Sequence, residues 1–237
     1  MLERDYTVLY TNYNKWDILK LSQQSLEQQT IKPIKYYIMN DGSTDNRNID
    51  VTPNTDIINF KHTGNLCKMI NDTVDMVETE KFIIFDPDFI FPLRFMETLL
   101  MATDPHNIVI PIFILVSSLN NLPTLANGYS QLTVDDQPIA FPQGPFISYK
   151  STFLYYNESY SGSYFDTDYL QRWRLNGYRI LRSNYIYYYH LDHERKSDIH
   201  DQERVEKNKE LYRRLLPYYY NNNNIYNLKN NRSLEPK

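Results

Sequence analysis

The stretch Phe82-Ile83-Ile84-Phe85-Asp86-Pro87-Asp88-Phe89-Ile90-Phe91-Pro92 constrains this chain more than any other. Four consecutive apolar residues are too few for a helix and suit a strand covered on both faces, as in a parallel sheet. The run ends in two carboxylates one residue apart. Alternation points Asp86 and Asp88 the same way. Their place at the carboxyl end of a buried strand is where open α/β sheets bind ligands. Paired hard oxygens there suit Mg2+ or Mn2+ carrying a diphosphate. A turn with two solvated acids has the same local sequence, so the order of the neighbouring elements must decide between them.

That order is regular over the first half. Residues 6–10 read as a strand, 11–14 as a polar loop with Asn14 as a helix cap, and 15–29 as a helix with Trp16, Leu19 and Leu26 on one face beside Ile18. Pro33 breaks it. Strands at 34–39 and 56–60 flank the turn Asn40-Asp41-Gly42-Ser43-Thr44-Asp45. A helix over 64–77 buries Leu66, Met69, Ile70, Thr73 and Val77, and Pro92 opens another to about residue 101. The alternation predicts an α/β fold, a three-layer α/β/α sandwich around a mostly parallel sheet.

Beyond a buried strand at 108–116 the pattern changes. Residues 117–138 are polar and turn-rich, and Gln143-Gly144-Pro145 implies a close backbone approach. A helix over 165–176 ends at Gly177. Strands follow at 178–181 and 185–189, then a charged helix over 201–216. We expect one domain over 1–217 and a poorly ordered Asn- and Tyr-rich tail over 218–237.

Composition narrows the classes. The 237 residues carry a net charge of −4, which gives no polyanion-binding surface and no expectation of nucleic acid. No apolar stretch is long enough to span a membrane, and no signal peptide is visible. The single cysteine, Cys67, excludes an internal disulfide and fits a cytoplasmic setting. Its place in an amphipathic helix argues against a catalytic thiol. Most of the 22 tyrosines are expected to fill the core.

The ordered series is a strand ending in Thr11-Asn12-Tyr13-Asn14-Lys15, a strand ending in Asp41-Gly42-Ser43, and the Asp-x-Asp strand. Then come Phe165-Asp166-Thr167-Asp168 with Arg172 and Gly177-Tyr178, and a histidine after a strand, His190. From Tyr6 to His193 it resembles the inverting family 2 glycosyltransferases of the GT-A, Rossmann-like fold. Gln143 to Tyr178 is also similar to the carboxyl-terminal part of β1,4-galactosyltransferases.

The resemblance implies a metal-dependent transfer of a sugar from a nucleotide-sugar, a UDP-sugar by preference, to a glycan, lipid or protein acceptor. It implies that Asp41 accepts from the base, that Thr11 and Tyr13 hold the nucleoside, and that Lys68 lies near the diphosphate. Asp88 would hold Mn2+ or Mg2+, with His190 or its rival His193 as a further ligand. Asp86 would contact the ribose or a metal-bound water. Asp166 would be the catalytic base, with Gly144, Phe165 and Asp168 toward the substrates. Two positions depart from the family pattern: Asn40 stands where a second acid is common, and Phe165 where the family has glutamate.

Each residue also has a structural explanation. Asp41 can initiate a turn, Tyr13 can cover a sheet edge, and Lys68 can be a solvated helix lysine. Asp166 can be a helix-start acid, and Asp168 can pair with Arg172 four residues on; for Asp168 the pairing is the preferred reading. Two other functions compete. A nucleotidyltransferase would need a glycine- and basic-rich loop that 11–15 lacks. A non-catalytic nucleotide-sugar- or glycan-binding module is kept open by Phe165.

Overall fold

A computed structural model describes residues 5–45, 51–62, 64–117, 132–134, 144–191, 199–221 and 232–233. Its main sheet has the order β3-β2-β1-β4-β8. The strands are β1 (Tyr6–Asn12), β2 (Lys35–Asn40), β3 (Thr55–Asn59), β4 (Lys81–Phe85) and β8 (Ile147–Tyr149). The first four are mutually parallel, and β8 runs antiparallel to β4. The predicted α/β architecture is the one observed.

Alternation divides the side chains between two cores. Tyr6, Val8, Tyr10, Tyr36, Ile38, Ile83 and Phe85 pack with α1 (Trp16–Glu27) and α3 (Phe95–Ala102). Leu9, Tyr37, Met39 and Phe82 pack on the other face with α2 (Leu66–Met76), α4 (Phe165–Leu175) and α5 (Ile199–Asn221). The same parity carries Thr11, Asp41 and Asp86 onto the second face, at the carboxyl ends of β1, β2 and β4. Register agrees, since Tyr10 pairs with Phe85 and the Asp41 amide donates to the Asn12 carbonyl at 2.9 Å.

A second sheet has the order β5-β9-β6, formed by β5 (Phe89–Ile90), β9 (Arg179–Leu191) and β6 (Asn107–Val116); β7 (Leu132–Val134) pairs with β9. The strand expected to be buried throughout 108–116 is buried in its first half and again at Val116, while Phe113 and Leu115 are exposed. Its register slips between Ile110 and Ile112, at Pro111, which has no N–H for the ladder. The two strands expected at 178–181 and 185–189 are one. Ser183 Oγ accepts from the amides of Tyr185 (3.1 Å) and Ile186 (2.8 Å), carrying the strand across its irregularity.

Two other details differ from expectation. Asn14 does not cap α1; its φ is 54°, Lys15 takes the capping position, and no side chain caps the helix. The Asn14 carboxamide instead accepts from the amides of Thr44 (2.9 Å) and Asp45 (3.1 Å), tying the first loop to the turn after β2. The closing helix continues through Pro217 to Asn221, because Leu215 and Tyr219 are buried on either side of the proline. Beyond it Arg232 pairs with Asp72 at 2.8 Å and with Asp75. The remaining tail at 222–231 and 234–237, most of the excursion at 117–138, Gln143 and His193 lie outside the described residues.

Candidate active site

A cleft of ≈ 180 Å³ opens at the carboxyl edge of the main sheet. Its polar lining is Thr11, Asp86, Asp166 and His190; aromatic rings, among them Phe113, Tyr156, Phe165 and Tyr188, share the rest of the wall with aliphatic side chains. Gly144 also lines it, with φ of 60°, and a Cβ there would lie 2.9 Å from the Tyr188 hydroxyl. The close approach expected from Gln143-Gly144-Pro145 is therefore to a tyrosine of β9.

The paired acids have different surroundings. Asp86 opens onto the cleft, and Thr11 Oγ1 donates to its Oδ1 at 2.8 Å. Enclosure by the cleft walls, then repulsion from Asp88, push its carboxyl above the ordinary carboxylate value; the enclosure is partial, because the side chain still reaches cleft water. Asp88 is 2% exposed. Lys15 Nζ donates to its Oδ2 at 3.1 Å, and His190 Nε2 stands 3.6 Å from Oδ1. Burial opposes its ionisation, but His190 and the Lys15 ammonium outweigh it and hold the carboxyl at about 2. Pairing of Phe89 with His190, and a 2.9 Å bond from the Leu191 amide to the Asp88 carbonyl, bring β9 to this position.

Asp88 and His190 provide an oxygen and a nitrogen donor. That pair fits a divalent cation whose remaining positions are filled by substrate phosphates and water. Among the described residues no group of three His, Cys, Asp or Glu side chains is arranged to hold a metal ion. Lys15, which the sequence analysis did not select, places a protein cation beside the same carboxylate.

Tyr13 and Asp41 lie farther along the edge. Tyr13 is exposed and stacks on His62 with centroids 4.7 Å apart. Asp41 Oδ2 accepts from His62 Nδ1 at 3.0 Å. His62 stands just beyond β3, at the carboxyl edge of the main sheet, and that place is its one signal in the sequence.

Asp166 starts α4 at the cleft wall, where it accepts from the Thr167 amide at 2.8 Å. Phe165 beside it packs edge-on against Tyr156. Two candidates lie elsewhere. Lys68 pairs with Asp72 at 2.6 Å on the outer surface of α2. Asp168 is completely buried, and its carboxylate is taken by Arg172 Nε (2.8 Å), Tyr160 (3.2 Å) and Tyr219, so a substrate-contacting role has no geometry to support it. Burial pushes the Cys67 thiol well above its ordinary value, as suits a core residue.

This mixed α/β arrangement around a mostly parallel central sheet is of the GT-A type. No family model matches the sequence, and no curated protein matches it. Among solved structures the chain is similar to S. aureus TarS. The TarS 1-349 complex with UDP superposes with a TM-score of 0.60 at 18% identity, covering 79% of this chain and 60% of that one. The complex with UDP-GlcNAc gives 0.62 at 16% identity, covering 91% and 66%. The chain thus spans less than two thirds of the first of these proteins, and at such identity the likeness carries the fold. Among the described residues no helix is long and apolar enough to cross a membrane.

Proposed function

We propose that this chain is a glycosyltransferase that moves a sugar from a UDP-sugar to a hydroxyl of a glycan, lipid or protein acceptor with inversion. The observation that carries the reading is convergence: Thr11, Asp86, His190 and Asp166 come from four separate segments and line one cleft. Similarity to TarS structures that hold UDP and UDP-GlcNAc supports a nucleotide-sugar donor. A single buried cysteine supports a reducing, cytosolic setting.

In this mechanism Asp41 accepts a hydrogen bond from the base, a role suited to the N–H of uracil. Asp86, oriented by Thr11, meets the ribose. Asp88 and His190 would hold Mn2+ or Mg2+, whose chemistry there would be to neutralise charge on the departing nucleoside diphosphate. Asp166 takes the proton of the acceptor hydroxyl. The acceptor oxygen forms its bond to the anomeric carbon from the face opposite the diphosphate. The bond to the diphosphate oxygen breaks, and that oxygen keeps the electron pair. One displacement inverts the anomeric centre.

Phe165 in place of the family glutamate favours one other reading, a nucleotide-sugar-binding module without turnover. Incubation with radiolabelled UDP-sugars, acceptor panels and Mn2+ distinguishes them. Transfer, or slow release of free sugar, is expected. Tight UDP binding with no turnover of any donor would leave only the module.

A further inference from the structure

The slot that the proposed nucleobase needs is filled by the chain itself. The His62 ring lies on Tyr13 with centroids 4.7 Å apart and planes 18° from parallel. A base inserted between the two rings would need two stacking gaps, about 7 Å in all. His62 Nδ1 is 3.0 Å from both the carbonyl oxygen and Oδ2 of Asp41. Both partners are acceptors, so Nδ1 carries the hydrogen. A flat ring with one N–H directed at Asp41 makes the contact that the mechanism asks of a pyrimidine, and it covers the face of Tyr13, the residue that the resemblance gives to the nucleoside.

The position is built into the backbone. Gly42 has φ of 68°, and a Cβ on it would lie 2.8 Å from His62 Cβ and 2.9 Å from the His62 amide nitrogen. The Phe60 amide donates to the Asn40 carbonyl at 2.9 Å, extending the β2–β3 ladder to this point. Only glycine in the Asp-Gly-Ser turn lets the segment after β3 lie this close to Asp41. The imidazole itself remains 56% exposed, so it can swing into solvent without opening the core.

We infer that His62 is an internal occupant of the nucleobase slot, which competes with the base for Tyr13 and Asp41 and thereby sets base affinity. This rests on the nucleotide-sugar reading above. If the slot is open only a fraction of the time, observed affinity falls by that fraction.

Calorimetry in Mn2+ buffer with UDP and inorganic diphosphate as probes tests it. With His62 seated about nine-tenths of the time, His62→Ala tightens UDP about tenfold and leaves diphosphate within about twofold. His62→Phe, which keeps the stacking ring but loses the N–H, falls between wild type and the alanine variant. In NMR spectra of the wild type, UDP but not diphosphate shifts the His62 ring protons away from their Tyr13-shielded position. UDP affinity unchanged or weakened in His62→Ala overturns the inference. If Asp41→Asn still weakens UDP, the nucleotide reading survives that result. If UDP binds neither protein, the nucleotide reading falls and takes this inference with it.

Discussion

Asp168→Asn tests the assignment of Asp168 to the core rather than the cleft. Arg172 and Asp168 are both fully buried, joined by a 2.8 Å bond from Nε to Oδ2. The other carboxylate oxygen collects the hydroxyls of Tyr160 and of Tyr219, which fastens α5 onto α4. Asparagine removes the negative charge and leaves the guanidinium charged in the interior, because arginine does not deprotonate. Breaking one side of a buried pair costs about 3–5 kcal/mol. For 237 residues the entropy of unfolding is about 0.5 kcal/mol/K, so the melting temperature should fall by about 6–10 °C. Scanning fluorimetry reads this directly. Asp168→Leu combined with Arg172→Met should recover most of the loss, since a matched apolar pair removes both desolvation costs. UDP affinity of the folded Asp168→Asn protein should stay within about twofold. A drop under about 2 °C, or intact stability with lost UDP binding, would refute the assignment.

Asp166→Asn should reduce transfer about a hundredfold or more while nucleotide affinity stays within severalfold, measured by initial rates and calorimetry on one preparation. Asp88→Ala should lose Mn2+-dependent UDP binding more severely than Asp86→Ala; equal affinity in wild type and Asp88→Ala would remove the metal assignment. Gly42→Ala and Gly64→Ala should differ: both have positive φ, worth about 1–2 kcal/mol of strain, but only the Gly42 Cβ meets a neighbour, so denaturant melts should show the larger loss at Gly42. Cys67 should resist alkylation at pH 8 in the native protein and react fully in denaturant, because burial raises its thiol.

The sequence by itself determined the alternation of strands and helices through residue 85, and with it the carboxyl edge of the main sheet. The physical reason is local. Apolar periodicity and turn chemistry are properties of short segments, and parity alone sends Thr11, Asp41 and Asp86 to one face. The same local signals mark the start of α4, where Asp166 stands. Tertiary structure decided what those residues meet. Asp166 and Asp168 are two apart in one helical turn, yet packing of α5 buries one under Tyr219 and leaves the other at the cleft. Lys15 reaches Asp88 across 73 positions, and His62 reaches Asp41 across 21, distances over which periodicity holds no information. The second sheet was equally hidden, because the slip at Pro111 and the Ser183 irregularity are settled by pairing between β6 and β9. Pairing of β9 with β5 then sets His190 beside Asp88.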